Sequence, residues 1–353
     1  MPPLLERIGV ELPVVQAGMG GGLSRHELAA AVSEAGGLGT IAVSGAEAIR
    51  RELAAVRALT GRPVAVNLLL PFARRDWFEA AAGADVVVTF WGRPRRRTPG
   101  VWLHQCGSVE EARRAQAAGA DGVIVQGVEA GGHVRGTTAA LLLLDEARAA
   151  LPAGYPLLLA GGVAEAADVR AALEAGAVAA TAGTRFLLSE ESRAHPAYKQ
   201  RLVEAEETIL TDLFGAAWPA PHRVVPNAAT KRWLGGVRPF RGISRGKDER
   251  REVLRAPRVN RALNRLLAPG ARHVPPALQL RMIRAQRPGS RLLTPAGPAD
   301  DAPGTLIDAG ALYAGETVAR IREVRPAAEL VRDLVPRSDP IPTFRHPAGP
   351  SAL

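Results

Sequence analysis

The sequence predicts an α/β protein, a (β/α)8 barrel of the TIM type followed by a mostly helical, loop-rich C-terminal appendage. Between Pro13 and about Leu188, a short apolar or β-branched run is repeatedly followed by a turn and by an Ala-, Leu-, Arg- and Glu-rich stretch with helical spacing. The apolar run occurs eight times, and several helical stretches stop at Ala-Gly, where glycine adopts the left-handed C-cap conformation at little cost. Eight buried parallel strands with covering helices close most naturally into a barrel.

The repeats place the predicted elements in a regular series. Strands are predicted at 14–17, 38–42, 64–68, 85–90, 101–105, 122–126, 156–160 and 179–183. Helices are predicted at 25–35, 46–59, 74–82, 109–118, 138–151 and 165–175, and a further one begins near Ser189. After the fourth strand, residues 91–100 are too few and too proline-broken for a crossover helix. We therefore expect a bare loop there.

Composition divides the chain into three predicted regions. Residues 1–200 form the barrel, 201–310 a basic helical and loop appendage, and 311–353 a C-terminal segment that returns to the barrel. The net charge of +10 is concentrated, because residues 221–291 hold 18 Lys/Arg against 3 Asp/Glu and leave the remaining chain at −5. A basic protein can bind nucleic acid or a membrane surface. This uneven distribution argues against both, and we predict neither partner.

Several classes of protein and site are excluded by what the sequence lacks. It has no apolar run near the roughly 18 residues of a membrane span and no secretory leader at its start, so we predict a cytoplasmic protein. It shows no Cys/His or paired-carboxylate spacing for a metal, no Walker-type loop and no GxGxxG fingerprint. The single cysteine, Cys106, has no visible partner to activate it, and we expect an inert thiol.

Two glycine turns follow the last two predicted strands. Gly161 and Gly162 come after strand seven, and Gly183 and Thr184 come after strand eight. In a barrel the site lies at the carboxyl ends of the strands, and backbone N–H groups in this pair of loops commonly bind a phosphate. Two ordinary turns are the alternative in a chain with 37 glycines. The position after adjacent strands favours phosphate binding.

A histidine lies in the loop after the sixth strand, where two glycines precede His133. An imidazole there could act as a general base or bind an anionic substrate. Among the other histidines, His104 remains open, whereas His195, His222 and His273 are expected to lie away from the barrel ends. Asn67 in strand three and Gln126 at the end of strand six could bond a planar heterocycle, although lone amides are more often structural.

These residues resemble the nitronate monooxygenase family, once called 2-nitropropane dioxygenases, across most of the chain. Their flavoprotein kin include an FMN-type enoyl-(acyl carrier protein) reductase and NAD(P)H:quinone reductases. The resemblance lies in residues 13–19 (PVVQAGM), 35–39 (AGGLG), 66–68 (VNL), 119–126 (GADGVIVQ), 129–133 (EAGGH), 160–163 (AGGV), 183–186 (GTRF) and 191–199 (ESRAHPAYK). Many members have proline where Gly18 stands, and the reductase relatives share the glycine.

The resemblance implies an FMN site. Ala17, Gly18 and Met19 would pack on the flavin ring, Asn67 and Gln126 would bond it, and Gly132 would approach it. The cofactor phosphate would be held by Ala160, Gly161, Gly162, Gly183 and Thr184. A C-terminal family segment near Leu312 would fold back toward the site, so that Tyr313 becomes either a substrate-pocket residue or a packing aromatic.

The resemblance also implies a reaction: FMN-dependent oxidation of alkyl nitronates by dioxygen to carbonyl compounds and nitrite. His133 would hold the nitronate anion, or take the α-proton of a nitroalkane. The alternative is an NAD(P)H-dependent reductase of an enoyl thioester or quinone, in which the basic segment attracts a dinucleotide or an acidic carrier protein. A nucleic-acid-binding protein on a retired barrel has little support, because no recognised nucleic-acid fold is visible and aromatic residues are only 4% of the chain.

Overall fold

A computed structural model describes residues 3–216, 218–235, 240–241, 252–274 and 276–336. It confirms the barrel. The eight parallel strands are β1 Val14–Gln16, β2 Gly39–Ile41, β3 Val64–Leu69, β4 Val86–Phe90, β5 Val101–Cys106, β6 Gly122–Gln126, β8 Leu157–Ala160 and β9 Ala179–Ala182. Their order is β1-β9-β8-β6-β5-β4-β3-β2. A parallel bridge from Val15 to Leu38 brings β1 beside β2, so the two ends of the sheet meet.

The barrel interior is filled by alternate residues of the strands. Val15, Ala65, Leu103, Ile124 and Leu158 belong to one buried cluster, to which the short helix α1 (Leu4–Ile8) adds Leu4. The intervening residues of the same strands, such as Val64 and Val123, pack outward against the helices. Because both faces of a parallel sheet are buried, the strands are continuously apolar, which is why they could be located from sequence.

The outer helices are α2 His26–Glu34, α3 Ala46–Leu59, α4 Arg75–Ala81, α5 Val109–Ala117, α6 Ala140–Ala150, α7 Ala166–Glu174 and α8 Thr184–Leu187. Residues 91–100 contain no helix, as predicted. The predicted start of the next helix, near Ser189, is wrong. The chain enters the four-residue α8 directly after β9, and α9 begins later, at Pro196–Val203, where a proline occupies the first turn and His195 caps it.

Beyond the barrel, the chain forms an antiparallel sheet that the sequence did not predict. Its strands are β7 Gly132–His133, β10 Glu207–Thr211, β11 His222–Val224 and β12 Phe240–Arg241, in the order β12-β10-β11-β7. Three of these strands have only two or three residues, too short to show an alternating pattern, and the five-residue β10 lies in the region predicted as helix and loop. The sheet matters because β7 carries His133, so the appendage is hydrogen-bonded directly to the histidine loop.

The appendage also contains the helices α10 Ala228–Leu234, α11 Arg258–Leu267 and α12 Pro276–Ala285, and short 3-10 turns at 268–273 and 304–306. The chain then returns to the barrel through a 3-10 turn at 316–320 and α13 Ala327–Leu334, whose buried face joins the main core cluster. Parts of the predicted basic segment (236–239, 242–251 and 275) and the end of the predicted C-terminal segment (337–353) lie outside the described residues. The boundaries at 200 and 310 stay a prediction. No helix in the described part of the chain is long and apolar enough to cross a membrane.

Candidate active site

His133 lies at the carboxyl-terminal mouth of the barrel, on a strand shared with the appendage. β7 pairs with β11, which places His133 opposite His222 and Gly132 opposite Arg223. The His133 imidazole stacks on the indole of Trp218, with ring centroids 3.8 Å apart and planes 20° apart. His222 and Tyr313 contact the imidazole at centroid distances of 5.3 and 5.6 Å. The predicted reactive histidine therefore lies inside a group of aromatic rings.

Two further rings extend this group across the mouth. Trp218 meets Trp91 at 5.2 Å and Phe72 at 5.4 Å, both edge-on. Phe72 follows β3 and Trp91 follows β4, so the rings come from successive barrel loops, whereas Trp218 comes from the appendage. We call Phe72, Trp91 and Trp218 the aromatic wall. Such edge-to-face and stacked pairs add stability beyond the area that they bury.

The imidazole of His133 is held neutral. Its Nε2 atom is buried and has no hydrogen-bond partner among the residues that the structure describes. Burial, with a smaller contribution from His222, keeps the pKa of His133 well below its usual value. A neutral imidazole offers one N–H donor and one acceptor nitrogen, and it carries no charge near neutral pH.

The loop that carries His133 is fixed by the side chain of Gln126. Its Nε2 atom donates to the carbonyl oxygen of His133 at 3.0 Å, and its Oε1 atom accepts from the backbone N–H of Arg135 at 3.1 Å. Gln126 was predicted to bond a planar heterocycle. The structure shows that this buried amide already bonds the backbone on both sides of Val134, which leaves one N–H and one lone pair for a ligand.

Three buried charged residues join this loop to the appendage and to the C-terminal segment. The Arg223 guanidinium contacts the Glu316 carboxylate at 3.0 Å, with side chains only 3% and 1% exposed. Its Nε and Nη2 atoms donate to the carbonyl oxygen of Val128 at 3.2 and 2.7 Å. Glu129 follows in the same loop, and burial raises the pKa of its carboxyl group to about 7. We call Glu129, Arg223 and Glu316 the buried charge cluster.

The two glycine loops that were predicted to bind a phosphate lie beside this cluster. Gly161 and Gly162 have φ values of +105° and +75°, a conformation that favours glycine. A Cβ atom at Gly161 would lie 3.3 Å from the backbone nitrogen of Ala130, so this loop packs on the histidine loop. Thr184 contacts the C-terminal segment, because its hydroxyl accepts the N–H of Gly315 at 2.8 Å. Ala160 precedes these glycines and is buried.

The first barrel loop brings the other predicted flavin residues together. A Cβ atom at Gly18 would lie 2.5 Å from the Cβ of Asn67, so a larger residue there would displace Asn67. The Asn67 amide makes no hydrogen bond to any described residue. Ala17 lies against Gly183, at 3.7 Å from the Cβ that glycine lacks, and the N–H of Met19 donates to the Ser24 hydroxyl. Asn67 thus lies against Gly18, and the adjacent Ala17 lies against Gly183, so these residues line one side of the mouth.

His104, His195 and the cysteine have structural partners. His104 is buried against the Thr89 hydroxyl at 2.7 Å, and burial lowers its pKa to about 4. His195 accepts the N–H of Ala197 as a helix cap. Burial raises the pKa of the Cys106 thiol, in line with an inert group. The side chain of His273 lies outside the described part of the chain.

His222 corrects one expectation. It was expected to lie away from the barrel ends, yet strand pairing places it directly across from His133. It accepts the N–H of Phe214 at 3.2 Å and bonds the Ala220 carbonyl at 2.9 Å, and burial lowers its pKa to about 4. Both ring nitrogens thus bond backbone groups. The expectation about its position was wrong, because the short strand β11 gave no sequence signal.

Tyr313 is held by hydrogen bonds of both its hydroxyl and its backbone carbonyl. Its hydroxyl donates to the carbonyl oxygen of Pro295 at 2.8 Å, and its own carbonyl accepts the hydroxyl of Tyr198 at 2.7 Å. Its ring faces His133.

Two surface cavities, of about 290 and 360 Å³, lie against the appendage and include no predicted site residue. The described residues contain no group of three or more metal-binding side chains.

Sequence reasoning missed the aromatic wall. Trp91 directly follows a barrel strand, so the rule that located His133 could also have located it. Trp218 and Phe72 gave no such signal, because no local pattern links a residue of the appendage to the barrel mouth.

This chain is similar in sequence to enzymes of known name. A nitronate monooxygenase of Pseudomonas aeruginosa is 36% identical over 267 residues, which cover 58% of this chain and 74% of the relative. A Mycobacterium tuberculosis enzyme, (3aS,4S,5R,7aS)-5-hydroxy-7a-methyl-1-oxo-octahydro-1H-indene-4-carboxyl-CoA dehydrogenase, is 34% identical over 256 residues, or 67% of this chain and 69% of the relative.

Solved structures extend the similarity to nearly the whole chain. FabK from Thermotoga maritima superposes with a TM-score of 0.68 at 25% identity and covers 94% of both chains. A nitroalkane oxidase from Streptomyces ansochromogenes gives a TM-score of 0.66 at 28% identity, covering 94% of this chain and 96% of the other. The family model described as nitronate monooxygenase matches residues 1–89 and 95–337. The chain therefore belongs to the nitronate monooxygenase family, and it is an oxidoreductase.

Proposed function

We propose that this chain binds FMN at the barrel mouth and uses dioxygen to oxidise alkyl nitronates to carbonyl compounds and nitrite. The observation that carries the proposal is His133, whose buried Nε2 has no hydrogen-bond partner in the described part of the chain. Its ring lies among aromatic side chains, and its loop packs on the glycine loop at 161–162. Membership of the nitronate monooxygenase family and the similarity to a nitroalkane oxidase support the reaction.

The residues at the mouth fit FMN. A Cβ atom at Gly132 would have no neighbour within 4 Å, so open space lies beside the histidine loop, and the Asn67 amide is available to a ring. The phosphate would be held by backbone N–H groups of residues 160–162 and 183–184, where Gly161 and Gly162 allow close approach. The ring would contact Ala17, Gly18 and Met19. When bound, FMN supplies the redox chemistry, accepting electrons from the substrate and passing them to dioxygen.

The neutral form of the His133 imidazole indicates which form of the substrate the site binds. A neutral imidazole can donate a hydrogen bond to an oxygen of a nitronate, and the low dielectric of a buried site strengthens that bond. The lowered pKa makes His133 a weak base. We therefore expect the nitronate anion, rather than the neutral nitroalkane, to be the better substrate. The aromatic wall keeps water away from the imidazole.

His133→Asn tests the role of the imidazole. We expect the variant to keep FMN but to slow reduction of the flavin by a nitronate about 10- to 100-fold, the value of a hydrogen bond to a charged group. His195→Asn is the control, because His195 caps a helix away from the wall. Normal turnover in His133→Asn would remove His133 from the mechanism.

A reductase that uses NAD(P)H is the second candidate. The Mycobacterium tuberculosis relative is named for a CoA thioester, and Gly18 is the version of the first loop expected in reductase kin. In this case NAD(P)H would reduce the FMN, and an enoyl thioester or quinone would accept the electrons. NADH, but not a nitronate, would then bleach the flavin under oxygen-free conditions.

A further inference from the structure

Trp91 has an unusual backbone conformation. Its φ is +61°, and among the described residues it is the only one other than glycine with a positive φ. Gly92 follows with a φ of +84°. Bulky side chains rarely occupy the left-handed region, and such outliers concentrate at functional sites. The turn after β4 thus holds an indole in a position that a relaxed backbone would not give it.

The indole N–H of Trp91 has no acceptor among the residues that the structure describes. The Nε1 atom is buried and makes no hydrogen bond within the described part of the chain. The rings and charges around it offer none: the Arg135 guanidinium lies over the indole at 4.7 Å, and the neighbouring rings are Phe90 and Trp218. An arginine, a phenyl ring and an indole contain no strong acceptor. Buried polar groups are nearly always hydrogen-bonded, so this donor needs a partner other than the described residues, and a ligand at the barrel mouth can supply one.

The position of Trp91 is fixed from the histidine loop. Arg135 lies two residues after His133, and its Nε atom contacts the Glu111 carboxylate at 2.6 Å. The guanidinium is thereby held over the Trp91 ring, a favourable cation–π arrangement. On the other side, Trp218 contacts both Trp91 and His133. Trp91 Nε1 and His133 Nε2, two buried polar atoms with no hydrogen-bond partner among the described residues, thus lie on either side of the Trp218 indole.

The turn is also where this chain departs from its family. Residues 90–94 are not matched by the family model, and they lead into the loop that replaces the fourth crossover helix. Without that helix, the chain after β4 is free to place a large side chain at the mouth. The departure and the partnerless donor fall on the same residue.

We propose that Trp91 binds the substrate by donating its indole N–H to one oxygen of a planar anion, while His133 serves the other end of the same group. The aromatic wall would then contact the body of the substrate, so the preferred substrates are nitronates that carry an aryl or other bulky apolar group. The identity of the substrate as a nitronate rests on the proposed function. The binding of a planar anion by Trp91 does not depend on it.

Trp91→Phe tests the N–H alone, because it keeps an aromatic ring on the same backbone. The first probe is benzoate, an unreactive planar anion with two oxygens and an aryl body, titrated into the FMN-loaded protein and followed by the flavin spectrum. We expect its dissociation constant to rise about 10- to 100-fold, the value of a hydrogen bond to a charged group. The KM for the nitronate of phenylnitromethane should rise by a similar factor with little change in kcat, as expected for an interaction made equally in ground and transition states.

Two further variants separate the N–H from folding and from the ring. Trp233→Phe is the matched control, because the Trp233 N–H bonds the Pro288 carbonyl in the appendage at 2.9 Å. It should leave the benzoate affinity unchanged. Trp91→Ala should also abolish the preference of the protein for benzoate over acetate, whereas Trp91→Phe should retain it.

The outcomes are distinct. If wild-type protein binds benzoate, Trp91→Phe weakens that binding and no nitronate is oxidised, the proposed reaction fails and the role of Trp91 stands. If Trp91→Phe binds benzoate and oxidises nitronates like the wild type, the role of Trp91 is overturned and the reaction stands. Loss of FMN from Trp91→Phe would also overturn it, since the donor would then serve the cofactor.

Discussion

The barrel and its mouth are held together over very different distances along the chain. Each barrel strand pairs with a strand of the neighbouring unit, and the same contacts recur around the sheet. The rings around His133 come instead from Phe72, Trp91, Trp218 and Tyr313, which belong to four separate segments. Loss of one barrel contact leaves many similar contacts in place, whereas a small number of long-range contacts holds the described part of the mouth together.

The strongest of those ties is the buried charge cluster, and Arg223→Ala should produce the largest effect. The change removes the Arg223 cation from the buried Glu316 carboxylate and two donors from the carbonyl of Val128. Removing one partner of a buried ion pair costs about 3–5 kcal/mol. We expect a fall of that size in the free energy of unfolding, measured by urea denaturation.

Arg75→Ala is the matched control, because Arg75 pairs with Glu79 on an exposed helix with side chains 92% and 57% exposed. Such surface pairs contribute about 0.5 kcal/mol or less. Equal losses in the two variants would show that the mouth is tied no more strongly than the surface.

Glu129 makes the same region sensitive to pH. Its pKa is raised to about 7 in the folded protein, from an ordinary value of 4.5. The folded state therefore binds the proton more tightly than the unfolded state. The resulting stabilisation is fully present below pH 4.5 and is lost as the pH rises through 7. The contribution is about 3 kcal/mol, since each pKa unit corresponds to about 1.4 kcal/mol.

Glu129→Gln should remove this pH dependence and keep an acceptor for the N–H of Ala140. The measurement is the unfolding free energy of wild type and variant from pH 5 to 8, compared with Glu110→Gln, whose carboxylate is exposed. Parallel curves for wild type and Glu129→Gln would contradict a raised pKa for this carboxyl group.

A smaller effect is expected from alanine substitutions at two glycines, which together distinguish loss of FMN binding from backbone strain. Gly162 and Gly154 have nearly the same φ, +75° and +76°, but only Gly162 lies in a proposed phosphate loop. Alanine at either position should cost about 1–2 kcal/mol of stability, because the left-handed conformation disfavours a Cβ atom. Only Gly162→Ala should weaken FMN binding, by about tenfold, as measured by equilibrium dialysis. An equal loss of FMN in Gly154→Ala would assign the effect to strain.

The contrast between barrel and mouth also explains what could be predicted from the sequence. All eight barrel strands and the bare loop after β4 were predicted, because each is encoded by a local apolar run or by proline spacing. His133 and the glycines could be located because they directly follow strands. Trp218, His222 and Arg223 could not be placed, because the two-residue strand β7 and the three-residue strand β11 have no periodicity and join segments almost 90 residues apart.

The central claim is that the mouth binds FMN and presents His133 to a nitronate. The most direct test is to take the visible spectrum of the purified protein and then mix it, without oxygen, with the nitronate of phenylnitromethane or with NADH. The account predicts a flavin spectrum that the nitronate bleaches and that returns when air is admitted. A protein that binds no added FMN would contradict the cofactor, and a flavin bleached by NADH alone would contradict the reaction.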